Sequence, residues 1–242
     1  MLFFALLFFS CSKSYKLVRK VMASIVGLSL GCGVLDECVG KEPQSPSIRF
    51  LLQQGTDNMR KGSLDESIIA FDKAIAQNPA IKSYLWQRGL ALYLNKQYSD
   101  CADQFLSDIT VNPGDTEEAI WHAICLAEAP SPVQVEPSRE QKLLKLAEGD
   151  RRPVMRYIYE MFDGKISWQE LDEYGKSMGG QSAYFYSRLY LSLYFHSRLG
   201  EDGMALKFIN EAMNSSYAVD ARSKDLMVVV GDLFRKNLIE KL

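Results

Sequence analysis

Hydrophobic positions recur at three- and four-residue intervals along most of the chain, the spacing that gathers them on one face of an α-helix. Ala70, Phe71, Ala74 and Ile75 form one such face. Ala119, Ile120, Ala123, Ile124, Leu126 and Ala127 form another. The stops between these faces are equally regular. Gly62 predicts the end of a first helix, and Ser63 followed three residues later by Glu66 predicts a capping box opening a second. Pro79 and Pro113 predict the ends of second helices, because proline lacks the backbone N–H and clashes with the preceding turn. Asp115 and Thr116 ahead of Glu117 and Glu118 predict a capped start with acids in the first turn, for a helix that stops at Pro130.

The pattern repeats. When residues 48–81 are laid over 82–115, Gly55 falls on Gly89, Phe71 on Phe105, Ile75 on Ile109 and Pro79 on Pro113. Each unit reads as two helices, with a glycine inside the first. Mid-helix glycine costs about 1 kcal/mol against alanine, a cost accepted where another backbone must approach closely. A partial third unit covers 116–128, and 129–139 reads as a loop with three prolines.

Beyond residue 140 the helical pattern is irregular. Short pieces are predicted at 141–147 and 153–162, the latter opening on Pro153. Ser167 and Glu170 predict another capping box, for a helix reaching about Ser177 and broken by Gly179 and Gly180. A long aromatic-rich helix follows over 182–199, ending at Gly200. Residues 203–215 give the next, with Ala205, Phe208, Ile209 and Ala212 as its buried face. A final helix over 219–241 carries Leu226, Val229, Val230, Leu233 and Phe234, as expected of a cap covering the last face of a stack.

At Gly55, Phe71, Pro79, Gly89, Phe105 and Pro113 the chain resembles the tetratricopeptide (TPR) family. Ala74 matches a small family position that Asp108 occupies in the second unit, and Cys101 takes another small position. The order of units over 48–240 is similar to a group of plant and algal TPR-like proteins, through residues 84–89 (YLWQRG), 112–121 (NPGDTEEAIW) and 152–155 (RPVM). It is more distantly similar to bacterial lipoprotein adaptors of the NlpI type. The resemblance implies an all-α fold: a right-handed superhelix of helical hairpins with an irregular middle and a C-terminal capping helix. A single such domain would span 49–242, with units 48–81, 82–115 and 116–128, a late unit 183–217 and a cap 219–241.

The resemblance also implies a concave groove lined by the first helices of the units. There it places Arg49, Leu52, Gln53, Thr56, Met59 and Arg60 from unit one, and Trp86, Gln87, Leu90, Tyr93 and Leu94 from unit two. Unit three supplies Glu117, Ile120, Trp121 and Ile124. The Lys and Asn of the family's carboxylate clamp are replaced by Leu52 and Thr56. An aromatic, mixed groove suits an extended peptide or a helix anchored by Trp and Tyr. The competing role for Trp86 and Trp121 is packing between repeats. On the groove reading, Trp86→Ala with Tyr93→Ala removes partner capture without unfolding the chain.

Composition narrows the rest. Of 242 residues, 47% are hydrophobic and 24% charged, with a net charge of −2. That excludes global disorder and offers nothing to nucleic acid. The first 40 residues differ: apolar runs at 2–9 and 21–31 flank a basic stretch holding Lys13, Lys16, Arg19 and Lys20. Neither run reaches the ~18 residues that would span a bilayer as a helix. Positive flanks around short apolar runs read as a targeting segment over 1–40, of a plastid or other organellar kind. A lipoprotein signal acylated at Cys11 or Cys32 is the rival, and Met22 as the true start, with a cytoplasmic product, is another. Membrane contact is then expected only through this segment. Residues 41–48 read as a polar linker with two prolines.

Five cysteines without a CxxC pair support neither a zinc site nor a redox motif, so Cys101 and Cys125 read as small buried hydrophobes. His122 and His196 read as ordinary helix residues, and Glu117 and Glu118 as helix-start charge. No catalytic triad, metal set or cofactor loop is recognised. Tyr186, Tyr190 and Tyr194 form an i, i+4, i+8 stripe near Arg188, which packs in the core or, if exposed, makes a second binding surface. Asn214, Ser215 and Ser216 spell a glycosylation sequon. The expected function is a non-catalytic scaffold or adaptor for a peptide or protein partner. The alternative is a self-associating structural subunit, a homo-oligomer, and the third reading an enzyme built around His122.

Overall fold

The computed structural model describes residues 45–130, 143–145, 150–177, 180–221 and 224–242. The chain divides into residues 1–47 and 48–242. The expected targeting segment, and residues 41–44 of the linker, lie outside the described residues. Among the described residues the fold is all-α, with no strand. No described helix is long and apolar enough to cross a membrane.

The first hairpin joins α1 (Ile48–Lys61) to α2 (Leu64–Gln77). Gly62 makes the turn at φ +80°, a left-handed conformation that glycine adopts without a Cβ clash. It lets Ser63 N–H reach the Asn58 carbonyl at 3.0 Å. The expected capping box does not form here, because the Ser63 side chain caps nothing. At the crossing of the two helices, a Cβ on Gly55 would lie 2.7 Å from the Phe71 ring. The second hairpin, α3 (Trp86–Leu94) and α4 (Tyr98–Val111), repeats that contact: a Cβ on Gly89 would lie 2.7 Å from Phe105. The paired glycines and phenylalanines of the 34-residue period are therefore partners across a helix crossing.

The linkage between hairpins departs from expectation. Unit two does not enter its first helix at residue 82. A 3-10 turn, Pro79–Tyr84, intervenes, started by Asn78, whose side chain accepts from Ala80 N–H at 3.2 Å. α5 (Thr116–Glu128) then packs on α4. Asp115 caps it by accepting from the N–H groups of Glu117 and Glu118 at 3.1 and 3.3 Å. Cys101 on α4 and Cys125 on α5 are joined in a disulfide, Cα to Cα 5.8 Å, which corrects their reading as isolated hydrophobes.

Of the piece expected at 141–147, residues 143–145 are described and are not helical, though Leu143 is buried. α6 (Pro153–Phe162) and α7 (Trp168–Ser177) follow. Here the capping box does form: Ser167 N–H and Oγ donate to Glu170 Oε2 at 2.7 and 2.8 Å, and Glu170 N–H donates to Ser167 Oγ at 3.3 Å. α8 (Gly180–Tyr194) is buried on all sides between Phe185 and Leu193. It runs into a π turn, Phe195–Leu199, closed by Gly200 at φ +68°. α9 (Asp202–Met213) returns along α8. The single final helix expected over 219–241 is two: α10 (Ser216–Ala221) and α11 (Leu226–Lys241). Asp225 starts the second by accepting from Met227 N–H at 2.9 Å.

One apolar core runs from Met59 on α1 and Ile68 on α2 to Leu238 on α11, and a smaller one of Leu51, Phe71, Ala74, Ile81 and Leu85 sits under the first hairpin. α11 joins distant parts of the chain: it packs on α9 and also on α3. Asn237 Nδ2 donates to the Leu94 carbonyl at 3.0 Å across 143 residues of sequence, and Phe234 lies 6.3 Å from the Tyr93 ring.

Candidate functional site

The residues expected on a groove separate into an open set and a buried set. On α1, Arg49 and Gln53 are exposed and Arg60 is half-buried. Gln53 donates to Asp57 Oδ1 at 2.9 Å. Thr56 turns inward along its own helix, its hydroxyl donating to the Leu52 carbonyl. At the start of α3, Trp86 and Gln87 are half-exposed, and Trp86 rests on the edge of the main core. Gln87 Oε1 is buried with no hydrogen-bond partner. α1 and α3 are in contact, which places the two open sets on neighbouring helices.

Tyr93 and Trp121 do not belong with them. They are 3% and 2% exposed, and their rings meet edge to face at 5.2 Å. Trp121 also stacks on Phe105 at 6.1 Å and meets Tyr190 at 6.2 Å. The competing role therefore holds for Trp121, and it extends to Tyr93. The expectation that Tyr93→Ala leaves the fold intact is corrected, since removing a buried aromatic costs about 3–5 kcal/mol. The physical reason is α11 and α8: they cover the sides of α3 and α5 that an isolated repeat would leave open.

The tyrosine stripe is likewise used inside the molecule. Tyr190 is fully buried and donates to Glu117 Oε1 at 2.8 Å, while Arg152 Nη1 donates to Glu117 Oε2 at 3.0 Å. Tyr186 donates to Asp225 Oδ2 at 3.0 Å, beside Tyr217 on the same oxygen at 2.8 Å. Tyr194 is half-buried against Phe162. Arg188 is completely buried, 2.8 Å from Asp172 and 2.9 Å from Glu211, with its guanidinium 4.6 Å from the Tyr184 ring. An isolated buried cation is prohibitive, so these two acids, with the Tyr184 ring and the Phe208 ring at 5.7 Å, are the condition for its burial.

Glu117 and Glu118 are more than helix-start charge. Burial pushes Glu117 up, against the pull of Arg152 and Tyr190. Glu118 is pushed up to about 10, by burial first and then by Asp115, Asp108 and Glu117. Asp108, which stands where the first unit has Ala74, is fully buried and pushed up to about 7 by burial. Its Oδ1 accepts from Gln104, while its Oδ2 has no partner.

The histidines also differ from one another. His122 is half-buried, and burial lowers its pKa. His196 sits in the π turn with Nδ1 2.5 Å from Asp202 Oδ1 and Nε2 3.8 Å from Glu128. Lys241 closes on the other Asp202 oxygen at 2.8 Å. Acid pairing thus occurs at His196 rather than His122, and among the described residues no serine, threonine or cysteine hydrogen-bonds to it. Among the described residues, no three His, Cys, Asp or Glu side chains meet in a metal-binding arrangement. Sequence reading had no signal for the His196 cluster, whose members lie on α5, the π turn, α9 and α11.

No family model matches the chain, and no curated protein matches it.

Proposed function

We propose that this chain is a non-catalytic adaptor of tetratricopeptide type, a right-handed stack of helical hairpins holding an extended peptide or a helix of a protein partner. The face used is the outer side of α1 with the start of α3: Arg49, Gln53, Arg60, Trp86 and Gln87. The observation that supports this most is that Trp86, half-buried at the edge of the core, lies on a helix in contact with α1, where Arg49 and Gln53 are exposed. An aromatic side chain at the edge of the core, beside charged and amide side chains on a neighbouring helix, is a suitable anchor for a peptide. The tyrosine stripe is not offered to a second copy, because Glu117 and Asp225 already bind its hydroxyls.

The test is a comparison of Trp86→Ala combined with Arg49→Glu against the unaltered chain. Partners recovered by affinity capture from the protein's own cells are identified, and helicity is followed by circular dichroism. The expected result is loss of a specific partner at unchanged helicity. Recovery of the same partners by both chains rejects this face.

A further inference from the structure

The sequon at residues 214–216 is the only Asn-x-Ser/Thr pattern in the chain with a residue other than proline in the middle. Its placement in the fold is specific. Asn214 is the C-cap of α9, exposed, with its backbone N–H held by the Asn210 carbonyl at 3.0 Å. Ser216 opens α10 and is exposed. Ser215 between them is buried: its hydroxyl donates to the Ala212 carbonyl at 2.6 Å and accepts from Ala218 N–H at 3.2 Å. The inward serine therefore holds the turn, while the two residues a glycosyltransferase reads face solvent. A glycan on Asn214 displaces no packed side chain.

A second observation, far from this turn, points to the same environment. The Cys101–Cys125 disulfide joins two residues that are both fully buried. Structural disulfides of this kind are features of oxidising compartments and rare in reducing ones. Two thiols lose two protons and two electrons there to a protein thiol–disulfide oxidant.

We infer that Asn214 is an N-glycan acceptor and that the folded domain matures in an oxidising, glycosylating lumen. In the step, Asn214 Nδ2 attacks C1 of the first sugar of a polyisoprenyl-diphosphate oligosaccharide. The Nδ2–C1 bond forms and the C1–O bond to the diphosphate breaks. The polyisoprenyl diphosphate leaves with the bonding pair, and the amide proton passes to a base of the transferase. The modification is independent of the partner-binding face, which lies on α1 and α3.

The test uses the full-length protein purified from its own cells. After peptide-N-glycosidase treatment, the peptide containing Asn214 is read by mass spectrometry. The expected result is recovery of this peptide with aspartate at 214 only after the enzyme, together with one discrete mobility step that Asn214→Gln abolishes. Recovery of unmodified Asn214 without the enzyme overturns the inference. So does a mobility step that persists in Asn214→Gln. Because the first reading is made on the unaltered chain, it stands even if the variant folds poorly.

Discussion

Asp108 shows how one side chain can set a pH response. It occupies a position where Ala74 serves the first unit, so a carboxyl group stands where the repeat has a methyl. Burial pushes its pKa up to about 7, while in the unfolded chain it titrates near 4. Between those values the native state holds a proton that the unfolded state releases, so this group removes stability as pH rises from about 4 to 7. Asp108→Asn eliminates that titration while retaining an acceptor for Gln104. Urea unfolding at pH 4 and pH 8 should show the variant gaining on the parent at the higher pH, by at most about 4 kcal/mol. A difference that does not change with pH would mean that Asp108 titrates alike in the folded and unfolded chain, with no upward shift. Residue-scale reading found that Gly55 leaves room for a close neighbour, but not that the neighbour is the Phe71 ring rather than another backbone. It failed at Tyr93, because a Tyr on a helix looks the same in sequence whether solvent or Phe234 lies beyond it.

At the scale of elements, local stop and start signals differ in what they do. Ser63 and Asp115 both occupy N-cap positions, yet only Asp115 accepts from the helix N–H groups. At Gly62 the left-handed turn closes the end of α1 through backbone bonds to the Met59 and Asn58 carbonyls, and the Ser63 side chain makes no cap bond to α2. Asp115→Ala should therefore cost about 1 kcal/mol, and Ser63→Ala only a few tenths. Thermal unfolding of the two variants side by side checks this, and equal losses would contradict it. Helix existence was legible through most of 48–213 because amphipathic spacing and Gly, Pro or Asp punctuation agree there. The 3-10 turn at Pro79–Tyr84 and the split between α10 and α11 were not. In the first case the Gln104 side chain binds the Lys82 carbonyl at 2.7 Å, a tertiary contact. In the second, Asp225 is tied to Tyr186 and Tyr217 as well as to its own helix, and only the first of those ties is long-range.

For the whole molecule, the decisive contact is that of α11 with α3. It carries the C-terminal helix onto the second hairpin, beyond the late unit it was expected to cap. Phe234 touches both the Tyr93 and His196 rings, at 6.3 and 5.4 Å. Phe234→Ala should cost about 3–5 kcal/mol and loosen both contacts at once. Amide hydrogen exchange should rise in residues 86–94 as well as in α9. A rise confined to α9 would show that α11 does not clasp the second hairpin.

The sequence by itself determined the helical class, the 34-residue period with its recurring glycines and phenylalanines, and the caps at Asp115 and Ser167. These depend on neighbours within one or two helical turns, or on a register that repetition makes visible. Tertiary structure alone decided which aromatic residues face water. Trp86 stays half-exposed while Tyr93 and Trp121 are enclosed. It also decided that Cys101 meets Cys125, and that His196 meets Asp202 and Glu128. The reason is physical: exposure and pairing are set by which other element covers a face, and α8 and α11 cover α5 and α3 from up to 143 residues away.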